Sequence, residues 1–186
     1  MALNAVWEVP VRFENRVLNA ALGGWQLNGI ALMQSGTPFT VICSLAYPRC
    51  DFNGDGQNND RVNLPSFGTD LGNPSQEEWL SGVFTASDFT NPALGTFANQ
   101  PRNAFRGPGF KNVDLSLFKN VSMPGFSGRG SNLQIRLEAF NVFNWVNLNN
   151  PNATVNNANI GTVTAARGNN DTGGPHVIQL GFKWMF

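Results

Sequence analysis

The last eleven positions of the chain alternate strictly. Ile178, Leu180, Phe182, Trp184 and Phe186 take the even places, and Gln179, Gly181 and Lys183 fall among the odd ones. A period of two sends these sets to opposite faces of a strand. The apolar set turns aromatic toward the terminus, as where a strand meets a membrane-water interface. The same period recurs in residues 133–143, where Leu133, Ile135, Leu137 and Ala139 oppose Gln134, Arg136 and Glu138. In residues 111–119 it sets Val113, Leu115 and Leu117 against Asn112, Asp114 and Ser116. Residues 25–34 place Trp25, Leu27, Gly29, Ala31 and Met33 against Gln26, Asn28 and Gln34, with Ile30 and Leu32 blurring the polar side. Residues 2–9 do the same with Leu3, Ala5, Trp7 and Val9 against Asn4, Val6 and Glu8. Five strands are predicted.

Two architectures use such strands: a soluble sandwich, which buries one face against a second sheet, and a membrane barrel, which gives that face to lipid. An Arg136 turned to the bilayer midplane would cost about 2–4 kcal/mol, and Glu138 would add to it, so in a barrel the odd side of 133–143 meets the apolar phase. Asp114, Arg136, Glu138 and Lys183 then share the polar side, where opposite charges on neighbouring strands are expected to pair. The connections alternate in length. Residues 10–24 and 120–132 are short, whereas 35–110 and 144–175 are long. Barrels of the outer membrane show this asymmetry, with short periplasmic turns and long extracellular loops, and a soluble meander has no cause for it. The pattern therefore favours an all-β, antiparallel transmembrane barrel. Five strands fall short of the minimum of about eight, so the chain is expected to be a barrel fragment completed by strands it does not supply.

Composition supports this class. Asn, Gly and Pro together fill 57 of 186 positions, which leaves little room for long helices. No apolar run approaches the roughly 20 residues of a spanning helix. Twelve basic and twelve acidic side chains cancel to a formal charge of zero, which argues against a nucleic-acid partner. Residues 1–10 lack an export-signal pattern and already read as strand, so an N-terminal truncation is expected.

Chemistry concentrates in residues 51–60. Asp51, Asn53, Asp55 and Gln57 carry oxygen at alternate positions, Gly56 takes the sixth place, and Asp60 follows as a closing carboxylate. Calcium needs such a donor set from a short loop. The twelfth position is Val62 where an EF-hand has Glu, so flanking helices are not implied, and a plain polar turn is the alternative. Cys43 and Cys50 lie just before the loop and suit a small disulfide in an oxidising compartment, or two unrelated thiols. His176 is the sole histidine and lacks a recognisable nucleophile or carboxylate partner, and no glycine-rich phosphate loop is present. Nothing points to an enzyme.

Several stretches together resemble the late barrel strands of Oar-like TonB-dependent receptors. They are Gly23-Gly24-Trp25-Gln26-Leu27-Asn28-Gly29-Ile30, then Gln34-Ser35-Gly36-Thr37-Pro38-Phe39-Thr40, and then the Asp51 loop. Arg106-Gly107-Pro108-Gly109-Phe110 leads into Asp114-Leu115-Ser116-Leu117-Phe118-Lys119, and Glu138-Ala139-Phe140-Asn141-Val142-Phe143-Asn144 and the terminal Gln179 to Phe186 follow in the same order. The resemblance implies the C-terminal part of a barrel of about 22 strands in the outer membrane of a Gram-negative bacterium. Its partners would be outer-membrane lipid, a bulky nutrient of unspecified chemistry, and the TonB complex through a plug domain that this sequence lacks. It also implies that Phe186 is read as an assembly signal by the barrel-assembly machinery. The competing function is a soluble or surface-attached sandwich with a calcium-stiffened loop for adhesion or glycan binding.

Overall fold

The computed structural model describes residues 1–45, 50–123, 131–167 and 174–186. In chain order the elements are β1 (Ala2–Glu8), α1 (Arg16–Leu22), β2 (Trp25–Gln34), β3 (Pro38–Phe39), α2 (Gln76–Ser81), a 3-10 turn (Ala86–Asp88), β4 (Phe105–Arg106), β5 (Phe110–Met123), β6 (Ser131–Phe140) and β7 (Val177–Met185). All five predicted strands are present, and β2 has the predicted bounds. The chain divides into two compact units. One comprises Met1–Gln34, Phe110–Val146 and Gly168–Phe186, and the other comprises Ser35–Gly109 and Asn147–Arg167.

The first unit is one antiparallel sheet in the order β1-β2-β5-β6-β7. Its register gives it two chemistries. Trp7, Leu27, Leu117, Leu137 and Leu180 stand in one row across all five strands, and Ala5, Gly29, Leu115, Ala139 and Ile178 form the next. The odd apolar positions of β1, β2, β5 and β6 and the even ones of β7 thus share a face. A slip of one residue anywhere would move a whole strand's apolar set to the other side. Both long connections leave the same end of this sheet, since Gln34 pairs with Phe110 and Phe140 pairs with Val177.

The apolar face is bare. Ile178, Leu180 and Phe182 are 65, 60 and 65% exposed, whereas the inner face of a sandwich would bury them. The sheet is not closed: β1 and β7 are its edges.

On the polar face the expected charge pairs do not stand opposite one another. Arg136 lies between Phe118 and Gly181, Glu138 between Ser116 and Gln179, and Lys183 opposite Gln134. The charges fall at staggered heights, and Arg136 and Asp114 find another kind of neighbour. The Arg136 guanidinium lies 4.8 Å from the centre of the Phe118 ring. The Asp114 carboxylate accepts from Asn112 Nδ2 (2.8 Å) and from the Asn141 backbone N–H (2.8 Å).

Asn141 ties β6 to the start of β7. It is 1% exposed and has φ +47°, a left-handed conformation that Asn tolerates. Its Nδ2 donates to the carbonyls of Trp145 (2.9 Å) and Gly174 (2.6 Å), and its Oδ1 accepts from Trp145 N (3.0 Å). His176 Nδ1 lies 3.0 Å from the Asn141 carbonyl, a structural place for the lone histidine. Asn141→Ala removes three side-chain hydrogen bonds and disfavours the backbone. With roughly 1–3 kcal/mol for each buried group left unpaired, amide exchange at the start of β7 should quicken by more than tenfold. Unchanged exchange there would show that the knot is dispensable.

The sequence pattern misses the second unit. Residues 35–110 read as one long open loop, yet they fold around their own core with Asn147–Arg167. Phe105, fully buried, has ring centroids 5.6, 6.1 and 6.1 Å from Phe39, Phe84 and Phe89, and Val41, Phe52, Val62 and Ile160 pack around the group. Trp79 of α2 is buried with Leu148 and Val163. Ser75 and Glu78 cap α2 reciprocally, and the Ser75 backbone N–H holds the Glu78 carboxyl below the usual carboxylate range. Gly36 of the Gly36-Thr37-Pro38 stretch meets the Gly107 carbonyl so closely that a Cβ would overlap it. The two glycine-containing stretches of the resemblance are thus pressed together backbone to backbone.

Two boundaries also differ. β5 runs on to Met123 and β6 starts at Ser131, so both strands extend into the predicted connection 120–132. Residues 10–24, read as a plain connection, contain α1.

Candidate functional site

Asp60 organises the loop singled out in the sequence. Its Oδ2 accepts from the backbone N–H of Phe52 (2.5 Å) and Asn53 (2.9 Å), and its Oδ1 accepts from Asn53 Nδ2 (2.7 Å). Asp51, 9% exposed, accepts from the N–H groups of Gly54, Asp55 and Gly56 at 3.0 Å each. Asn53 Oδ1 accepts from Asp55 N, and Asp55 Oδ1 from Gln57 N, both at 2.8 Å. Asp51, Asn53 and Asp55 thus accept from backbone donors further along the chain, and Asp60 closes the loop on donors that precede it. Among the described residues, no group of three or more Asp, Glu, His or Cys side chains stands close enough to hold a metal ion.

Cys43 and Cys50 form a disulfide with Cα atoms 5.4 Å apart, and both are buried in the core of this unit. The same stretch is stitched to the loop, since Cys43 N donates to the Asp60 carbonyl (2.8 Å) and Asp60 N to the Cys50 carbonyl (3.3 Å). The crosslink and the carboxylate loop therefore form one rigid corner.

That corner walls a cleft of about 490 Å³. Asn53, Asp55 and Asp60 line it, joined by Arg61, Phe97 and Arg102. Asp51 and Gln57 do not line it. Arg61 is held in place because its guanidinium donates to the Gln100 carbonyl (3.0 Å), and the buried Gln100 in turn donates from Nε2 to the Val41 carbonyl (2.7 Å). Phe97 is 76% exposed, an aromatic ring left beside polar walls. Donors, acceptors and one apolar plane in a single cleft suit a polar ligand with some apolar surface. Phe97 and Arg102 carry no local sequence signal. They reach the cleft only through the long-range packing of the second unit.

Phe186 lies at the end of the alternating β7 stretch, 90% exposed, with its ring edge-on to Trp184 at 5.8 Å.

A family model described as an outer membrane beta barrel domain matches residues 1–179. The chain belongs to this family of outer-membrane β-barrel proteins of Gram-negative bacteria. No curated protein and no solved structure matches it significantly. Membership accounts for the bare apolar face, since a lipid-contacting wall has no protein layer over it.

Proposed function

We propose that the chain forms part of the wall and the ligand-contacting outer unit of a TonB-dependent, Oar-like receptor that takes up a bulky nutrient. The observation that carries this is the second unit. Joining two adjacent strands takes only a few residues, yet the connections from one end of this sheet build a core, a disulfide and a polar cleft. A passive pore wall has no need of them. The remaining strands of the barrel, and a plug, would come from coding sequence upstream of Met1. Translating that region tests the proposal: a plug-encoding frame is expected, and a frame without one would leave an outer-membrane barrel but remove TonB-driven uptake.

Phe186 would serve as the terminal signal for the barrel-assembly machinery. Deleting it in the complete receptor is expected to lower the heat-modifiable, assembled form in outer membranes by about tenfold, the effect of roughly 1.4 kcal/mol on a partition. Normal assembly would remove that role.

For the loop we propose calcium as a ligand of Asp51, Asn53, Asp55, Gln57 and Asp60. Their alternating oxygens support it, and each carboxylate oxygen that accepts one N–H keeps a further lone pair. The side chains would have to converge further than they do here to supply the six or more oxygens such an ion takes. Millimolar calcium should slow protease cleavage within residues 51–60 of the folded protein. Equal cleavage with calcium and with chelator would leave the hydrogen bonds as the loop's only organisers.

A further inference from the structure

Lys119 occupies the wrong face. It stands opposite Trp25 and Ile135, and Ile135 opposite Phe182, so its side chain starts in the apolar row that a barrel gives to lipid. An unpartnered lysine there would be costly. Yet Lys119 is only 6% exposed: its Nζ donates to the carbonyls of Ala21 (3.0 Å) and Gly23 (2.5 Å) and lies 5.2 Å from the Trp25 ring centre. Trp25 Nε1 donates to the same Ala21 carbonyl at 3.3 Å. The C-terminal end of α1, negative by its backbone dipoles and lacking a basic residue of its own, receives its cation from β5.

The pin fixes how α1 lies. Asn15 caps its first turn through Oδ1, accepting from Val17 N (2.9 Å) and Leu18 N (3.2 Å). Gly23 ends it where a Cβ would meet the Asn19 side chain and carbonyl at 2.5 and 2.8 Å. At about 100° per residue, Val17, Ala21, Leu18 and Leu22 share an arc of about 140°, with Asn19 outside it. Asn19 is exposed, and its Oδ1 accepts from Phe13 N (3.1 Å). The apolar arc is uncovered, with Val17 75%, Leu18 46% and Leu22 53% exposed.

We infer that α1 is an interfacial helix: it lies in the membrane-water boundary at the end of the strands opposite the long connections, with Val17, Leu18 and Leu22 among phospholipid acyl chains. Continuity selects this occupant. The arc is fastened through Lys119 and Trp25 to the lipid-facing row itself, and short amphipathic segments of this kind bury their apolar side at the headgroup-acyl boundary. Lys119 is the positioning residue, spanning from the apolar row to the helix carbonyls.

The inference rests on the outer-membrane assignment and not on the transport proposal. It is tested with nitroxide labels in isolated outer-membrane vesicles, at Val17→Cys, Leu18→Cys and Asn19→Cys, with Leu137→Cys as a lipid-facing control. The native cysteines are bonded to each other and do not react. Collision with oxygen is expected to exceed collision with a water-soluble nickel reagent at 17, 18 and 137, and the order is expected to reverse at 19. In Lys119→Met, 17 and 18 should shift toward the nickel reagent while 137 stays. Nickel-dominated collision at 17 and 18, with 137 still oxygen-dominated, would overturn the inference and spare the barrel. Low collision with both reagents at 17 and 18 would mean a protein covers the helix and would also overturn it. Unchanged values in Lys119→Met would remove the pin.

Discussion

Leu137→Arg is expected to abolish assembly into the outer membrane, whereas Gln134→Arg in the same strand is tolerated. Leu137 lies in the middle of the apolar row that runs from Trp7 to Leu180, and Gln134 lies on the opposite face between Asn120 and Lys183. An arginine presented to lipid near the midplane costs about 2–4 kcal/mol, which shifts an insertion equilibrium by roughly 30- to 1000-fold. On the wet face the same side chain keeps its hydration and adds only a like charge near Lys183. Outer-membrane fractions probed for the heat-modifiable form check this. Equal assembly of both variants would mean that the two faces see the same medium.

Phe105→Ala should unfold the second unit and leave the sheet intact. The ring is wholly buried, and three other phenylalanine rings pack on it, so its removal opens a cavity in the middle of the unit's core. Truncating a buried Phe costs about 3–5 kcal/mol, a large part of what holds a unit of this size together. Protease should then cut within Ser35–Gly109, and reductant should reach the Cys43–Cys50 bond. The sheet depends on a different set of contacts, so the strand amides of β5 and β6 are expected to keep their exchange protection. Joint loss of both would show that the units are not independent in stability.

The two units differ in how much of them is legible in the sequence, and the reason is range. In the sheet each residue's face is set by its immediate neighbours, so Leu133, Ile135 and Leu137 declare the lipid side of β6 without any other strand. The phenylalanine core has no such period. Phe39 and Phe105 meet across a long stretch of chain and are adjacent to each other only through β3 and β4, two residues each. α1 is intermediate. Asn15 and the Gly23-Gly24 pair are ordinary helix start and stop signals, but seven residues make too short a periodic run to stand out from a turn. The odd position of Lys119 is visible in the alternation. Its meaning is not, because the carbonyls that receive it lie in another element.

At the candidate site the alternating oxygens of 51–60 suggest a calcium donor set or a plain polar turn. They do not reveal that Asp51 and Asp60 spend their oxygens on the loop's own N–H groups, since spacing alone cannot distinguish a ligand from a turn-closing acceptor. The cleft residues Phe97 and Arg102 belong to the same class of information as the phenylalanine core.

In the barrel wall the odd side chains of β6 touch acyl chains while the even ones face water. Photolabelling of outer membranes with a phospholipid carrying a diazirine in its acyl chain, followed by mass spectrometry of the β6 peptide, tests it most directly. Adducts are expected on Leu133, Ile135, Leu137 and Ala139 and absent from Gln134, Arg136 and Glu138. Adducts spread over both sets, or confined to the even one, would mean that the odd face of β6 is not the lipid-facing side.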